Sequence, residues 1–299
     1  MKILIVGGTG FLGSTIVQKL ITRNHNVTIL TRNPYKAMPF DKSKVTFLTG
    51  DILSIDRISI SEKFDVLVYT AMVPFKPGRV STMKFKKMEV LTKLYFQNII
   101  ELAKTLNCPL ILTSGASFDT KENEIADENW PIARKGMAAL GKCYDEIISR
   151  VKSKKTIPLI EMLPAQIYGK GGLFLRTINM AKAGKVVILG KGKNRLPRIH
   201  VEDCATAYVL AIEKLPIGEK FILCDNLSCT VEDFMTYLAE VYNANTILHI
   251  PEFILRIATG KYIYQTVTLN TVVSNKKIKE KLGWEPAYPS YKEGLLSLK

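Results

Sequence analysis

The sequence predicts an α/β fold: a doubly wound parallel sheet with a smaller α/β C-terminal lobe. Three observations lead there. Short β-branched runs alternate with longer amphipathic ones through the first half, the short runs are apolar almost throughout, and the alternation loosens after Leu163. Alternating strand and helix patterns are the mark of βαβ units. Strands apolar on both faces are those that helices cover from both sides.

In chain order the expected strands are Lys2 to Val6, Asn26 to Thr31, Val45 to Leu48, Val66 to Ala71, Pro109 to Ser114 and Ile157 to Leu163. Between them, Phe11 to Asn24, Met83 to Asn107 and Ala133 to Val151 repeat their apolar residues at helical spacing. Pro109, just past Asn107, suits the end of the second helix. Right-handed crossovers then place helices on both faces. Beyond Leu163, glycine and lysine clusters at 169–172 and 190–193 flank one helix, Leu173 to Ala183. Phe221 to Cys224 reads as a further strand returning to the sheet. We therefore expect a sheet domain over 1–165, with the chain returning to it around 196–225, and a smaller substrate-binding lobe over 166–299.

At 299 residues, 47% hydrophobic and 23% charged, the chain can bury a large core, which excludes extensive disorder. It has no run of eighteen apolar residues, and its opening lacks the cleavage site of a secretory signal, so a cytoplasmic protein that does not engage a membrane is expected. The five cysteines, Cys108, Cys143, Cys204, Cys224 and Cys229, are scattered without a metal-ligand spacing and read as reduced core thiols. His25 and His249 stand alone, so no metal site is expected. A formal charge of +15 draws polyanions without naming one, and the cations are spread along the chain, as on a solvated lysine-rich surface.

The most informative segment is Gly7-Gly8-Thr9-Gly10-Phe11-Leu12-Gly13, between the first strand and the first helix. Glycines at 7, 10 and 13 allow a tight turn, close approach of backbone to a pyrophosphate, and helix packing on the strand. Unpaired amides at the helix start then face the phosphates. This is a Rossmann-type dinucleotide site. Where a protein selecting NAD usually carries an acid after the second strand, Thr31 is followed by Arg32, whose planar fork suits a 2′-phosphate. NADP is the expected cofactor, with NAD as the alternative.

With these residues in view, the chain resembles the extended short-chain dehydrogenase/reductase family, the NAD(P)-dependent epimerase/dehydratase group acting largely on nucleotide sugars. Gly50-Asp51-Ile52 is similar to its Gly-Asp-Leu, which implies that Asp51 and Ile52 meet the adenine. Thr70-Ala71 is similar to its Ala-Ala beside the nicotinamide ribose, and Asn98 to Ala103 to its Asn-Leu-Leu-Glu-Ala-Ala helix. Leu163 to Gly169 resembles Arg-Pro-x-x-Val-Tyr-Gly, which brings in Pro164 and Gln166; Ile199 to Ala205 resembles Ile-His-Val-x-Asp-x-Ala; Leu282 to Pro286 resembles Leu-Gly-Trp-x-Pro. The resemblance thus implies a cofactor site of Gly7, Thr9, Gly10, Phe11, Leu12, Gly13, Arg32, Asp51, Ile52, Ala71, Lys142, Pro164 and Gln166.

The catalytic machinery departs from the family. Lys142, with Glu146 four residues on, fits the lysine of Tyr-x-x-x-Lys, but Ala138 stands where the tyrosine belongs. The serine or threonine that orients substrate falls at Gly115, with Ser114 or Thr113 as replacements, and Thr92 stands near the family's helix asparagine. Lys142, Ser114 and Thr113 are the catalytic candidates. A positioned acid/base group contributes about 100-fold to 10,000-fold, and a lysine supplies one only if burial lowers its pKa. Lys185, Lys191, Lys193, Arg195 and Arg198 fall where the family's lobe contacts a nucleotide diphosphate. His200 and Asp203 read as structural, the latter favoured at a helix start. Two readings follow. One is an atypical epimerase or reductase acting on a nucleotide sugar or related carbonyl or alcohol, for which the resemblance implies a homodimer. The other is an inactive NADP-binding regulatory or RNA-binding protein on the same fold.

Overall fold

The computed structural model describes residues 1–34, 40, 44–73 and 78–299. The main sheet contains β1 (Lys2–Val6), β2 (Asn26–Thr31), β3 (Val45–Thr49), β4 (Val66–Tyr69), β5 (Leu110–Thr113), β6 (Leu159–Pro164) and β10 (Lys220–Leu223). Its seven strands lie in the order β3-β2-β1-β4-β5-β6-β10, every neighbouring pair parallel. The doubly wound parallel sheet read from the sequence is therefore observed, with β10 joining at the edge beside β6.

Helix α1 (Phe11–Thr22) packs against α5 (Val201–Lys214) on one face, and α2 (Thr82–Leu106) against α3 (Gly141–Lys154) on the other. Helix α2 begins where the Ser81 hydroxyl accepts the Lys84 amide at 3.2 Å and ends where Asn107 turns left-handed at φ +49°. Short polar side chains favour both positions. Ile3, Leu4 and Ile5 of β1, Val66 to Val68 of β4 and Leu110 to Leu112 of β5 are fully buried, as strands covered on both faces must be.

One expected element needs correction. The helix expected from Ala133 to Val151 starts only at Gly141, preceded by a tighter 3-10 turn over Gly136–Leu140. Gly136 sits at φ +62°, and a Cβ there would meet Thr266 Oγ1 at 2.6 Å, so long-range packing overrides the local helical pattern.

Beyond β6 come β7 (Gln166–Tyr168), α4 (Phe174–Lys182), β8 (Lys185–Leu189) and β9 (Arg198–His200). After α5 and β10 follow α6 (Val231–Tyr242), β11 (Thr246–Ile250), α7 (Glu252–Val267), α8 (Lys276–Leu282) and α9 (Tyr291–Leu296). The pairs β8–β11 and β7–β9 are both parallel. A second core forms around Phe234, Leu238, Ile178, Tyr168 and Leu295, while Trp284 is inserted into the main core. All five cysteines are buried and unpaired in disulfides. Among the described residues no helix is long and apolar enough to cross a membrane.

Candidate functional site

The register sets Val6 of β1 beside Tyr69 of β4, and Tyr69 beside Leu112 of β5. The loops leaving these strand ends therefore share one edge. The sheet order reverses between β1 and β4, the crevice where open α/β sheets bind ligands.

Gly7 has φ +96°, and a Cβ on it would lie 2.5 Å from the Ala71 nitrogen. A Cβ on Gly13 would lie 2.1 Å from the Gly7 carbonyl oxygen, and one on Gly10 3.2 Å from the same atom. Only glycine lets this loop close on itself and on the end of β4. The Gly10 amide donates to the Gly7 carbonyl at 2.9 Å. Gly10 caps α1 without a side chain, so the first-turn amides face the loop. The Leu12 side chain is buried in the core, which leaves its backbone as its contribution to the cradle, and Thr9 is half-buried.

The Phe11 ring explains the glycine cluster after β7. A Cβ on Gly171 would lie 2.4 Å from that ring and one on Gly172 2.8 Å. The loop at 169–172 thus lies directly on Phe11, a contact the sequence signals only as clustered glycines.

At the far end of the crevice, Arg32 Nη1 stands 4.0 Å from Asp51 Oδ2. Asp51 Oδ1 accepts the Leu53 amide at 3.0 Å, which fixes the turn that follows β3. The Ile52 carbonyl accepts from the Asn98 side chain of α2 at 2.7 Å, so the Asn98 motif holds the loop carrying Asp51. Tyr95 of α2 also faces this end; burial first and the Asp51 charge second raise its pKa.

On the opposite side of β1 the candidates divide. The Thr113 hydroxyl donates to the Tyr69 carbonyl and hydrogen-bonds the Tyr208 hydroxyl of α5 at 2.7 Å. Tyr208 is fully buried, so Thr113 faces the interior. Ser114, half-buried, and Gly115 follow, and a Cβ on Gly115 would meet only Ser117 Oγ at 3.9 Å. Pro164 closes β6 in the interior, and Gln166 just beyond it is exposed.

Ala138 lies in the 3-10 turn, which α7 holds in place: Gln265 Oε1 accepts the Gly136 amide at 3.1 Å and Thr266 Oγ1 the Met137 amide at 2.8 Å. The tighter winding changes the angle between Ala138 and Lys142 from that of a continuous α-helix. Lys142, exposed near the start of α3, lines a groove of about 270 Å³ between α2 and α3 with Glu89, Val90, Lys93, Cys143 and Glu146.

Lys185 stands apart from the other expected diphosphate cations. Lys185 opens β8, whereas Lys191 and Lys193 follow its opposite end, about 13 Å away at strand rise. The Arg195 amide donates to Asn270 Oδ1 at 2.8 Å, and Arg195 is exposed. Arg198 is buried, its guanidinium 3.5 Å from the Phe234 ring centroid and its Nη1 donating to Gln166 Oε1 at 3.3 Å. Burial lowers its pKa. The resemblance implies a diphosphate contact for Arg198, but the side chain lies in the interior, a burial that sequence does not record.

His200 caps α5, its Nδ1 accepting the Glu202 amide at 3.3 Å, and burial pushes its pKa down to about 4. It is a neutral ring packed on Tyr288 at 4.2 Å. The Asp203 carboxylate accepts the Ala287 and Tyr288 amides at 2.8 and 3.0 Å, and its carbonyl accepts Trp284 Nε1 at 3.1 Å. The closing Leu-Gly-Trp motif is thereby tied to the start of α5.

The cradle that a Cβ would fill, the open helix start and the Arg32–Asp51 end together fit a dinucleotide. Decarboxylating sterol-4-alpha-carboxylate 3-dehydrogenase of Candida albicans is 28% identical over 72% of this chain and 65% of that enzyme's length. The UDP-glucose 4-epimerase of Thermus thermophilus, solved with NAD, superposes with a TM-score of 0.79 at 18% identity, covering 100% of this chain and 97% of that one. The human epimerase family protein SDR39U1, solved with NADPH, gives 0.76 at 17% identity over 100% and 99%. The model of the NAD dependent epimerase/dehydratase family matches residues 3–224, and the chain belongs to that family.

Proposed function

We propose that the protein binds NADP(H) in preference to NAD and acts as an oxidoreductase or epimerase on a carbonyl or alcohol substrate, a nucleotide sugar or a related molecule. The observation that carries this reading is the glycine cradle, with Arg32 at its adenosine end. Amides of Gly7 to Gly13 would hold the pyrophosphate, Arg32 the 2′-phosphate, and Asp51 with Ile52 the adenine. Ala71, Pro164 and Gln166 would border the nicotinamide end, with Arg198 orienting Gln166 through their hydrogen bond. When bound, the nicotinamide supplies hydride exchange.

Around it the chain's own residues have separate tasks. Ser114 orients the substrate oxygen, because the Thr113 proton already goes to the Tyr69 carbonyl. Lys142 grips the nicotinamide ribose, which requires its stem to swing out of the α2–α3 groove. Lys191 and Arg195 meet substrate phosphates. Ala138 offers no proton, so proton transfer falls to a bound water, or to Lys142 once bound cofactor and substrate bury its amine.

Calorimetric titration with NADP and NAD, followed by absorbance at the reduced-nicotinamide band with a panel of nucleotide sugars and simple carbonyls, tests the reading. NADP should bind more tightly, one substrate should change the absorbance, and Lys142→Ala should weaken cofactor binding. Binding of neither dinucleotide would overturn it. The position of Ala138 favours a second reading, a cofactor-holding regulatory protein. That protein would bind NADP without turnover and keep its affinity in Lys142→Ala.

A further inference from the structure

Helix α7 has two unlike halves, joined at Gly260, whose φ of +78° breaks the winding. The second half is built into the molecule. Tyr262 stacks on Phe85 at 3.9 Å, and Gln265 and Thr266 hold the turn that carries Ala138. In the first half only Leu255 is buried. Phe253 and Ile257 are each 67% exposed, Ile254 is 44% exposed, and Leu248 on the preceding strand is 45% exposed. The spacing of Phe253, Ile254 and Ile257 puts them on one arc of about 100°. Scattered exposed apolar residues are ordinary, but a cluster on one short stretch marks an interaction surface.

Along the chain beside this cluster cations outnumber acids. Glu252 is the only acid between Glu240 and Glu280, and its carboxylate already accepts the Tyr264 hydroxyl at 3.0 Å. Arg256 and Lys261 are exposed on the same helix, within a chain of net charge +15.

We propose that the first half of α7, with Leu248, docks the protein onto an anionic phospholipid surface. Phe253, Ile254 and Ile257 enter the boundary between headgroups and acyl chains, while Arg256, and Lys261 just past the break at Gly260, lie among lipid phosphates. The helix lies on the bilayer and does not span it. A second copy is the poorer occupant, because pairing would set Arg256 and Lys261 against their own kind.

Cosedimentation of the full chain with phosphatidylcholine vesicles, with and without phosphatidylserine, tests this. Binding to the anionic vesicles should be roughly tenfold tighter or more and should weaken with salt. Phe253→Glu with Ile257→Glu should reduce it by roughly tenfold or more. Arg256→Glu with Lys261→Glu should erase the preference for phosphatidylserine. All these side chains are exposed, so the melting temperature should hold. In Phe253→Trp, added anionic vesicles should blue-shift the new emission. The proposal fails if wild type ignores anionic vesicles, if the Phe253/Ile257 variant binds as wild type does, or if light scattering shows a dimer that this variant dissolves.

Discussion

Arg32 of the β2 end and Asp51 of the β3 end face each other across 4.0 Å, at the outer end of the glycine crevice. The Arg32 side chain is 65% exposed, so the pair contributes at most about 1 kcal/mol to stability. On the proposed reading its importance lies in recognition. Asp51 holds the guanidinium over the end of the crevice, where it can accept a phosphate in place of a carboxylate. Arg32→Ala should therefore cost NADP about 1.5–3 kcal/mol of binding, roughly tenfold or more, and change NAD affinity little. Titration of both cofactors against both proteins checks this.

The contact of Gly13 with the Gly7 carbonyl leaves no room for a methyl group. The neighbour is backbone, which cannot rotate aside. Gly13→Ala should destabilise the protein by about 1–3 kcal/mol and abolish the rise in melting temperature with NADP. Gly115→Ser is the control: the space beside Gly115 is open, so this change should cost under about 0.5 kcal/mol. Denaturant melts with and without NADP separate the two.

Asp203→Ala should remove the acceptor of the Ala287 and Tyr288 amides, both part-buried. Two stranded donors cost about 2–4 kcal/mol together. Asp203→Asn keeps one acceptor oxygen and should recover about half of that. Urea unfolding of the three proteins gives the ordering.

Burial raises the Asp225 carboxyl from an ordinary 3.8 to about 7 and lowers His200 from 6.5 to about 4. The raised carboxyl favours the fold while protonated, so its contribution is complete below pH 4 and fades as pH rises through 7. The depressed imidazole favours the fold while neutral, so its contribution is complete above pH 6.5 and fades as pH falls through 4. Between those values the two slopes oppose each other. Above pH 6.5 Asp225 acts alone of the pair, and stability should fall by about 1 kcal/mol per pH unit until its carboxyl ionises. Asp225→Asn should flatten that decline in thermal melts from pH 6 to 8, and a parallel decline in the variant would reject the assignment to Asp225.

The strands of the sheet and the glycine cradle were legible in the sequence because both depend on local rules. Apolar runs at Lys2–Val6 and Asn26–Thr31 give the observed strands to the residue, and glycines at 7, 10 and 13 give the tight loop. The winding at 136–140 was less legible. Its side chains suit a helix, but Gly136 is pressed against Thr266, 130 positions later in the chain.

By itself the sequence determined the parallel sheet, the loop that can receive a diphosphate, and the cation at its outer end. Periodicity and backbone freedom are written in neighbouring residues. Tertiary structure alone decided that the Thr113 hydroxyl faces Tyr208, that Arg198 lies buried on Phe234, that Lys142 lines the α2–α3 groove and that Phe253 stands bare on α7. Side-chain direction and burial are set by segments distant in sequence, and a residue's type does not record which segment will cover it.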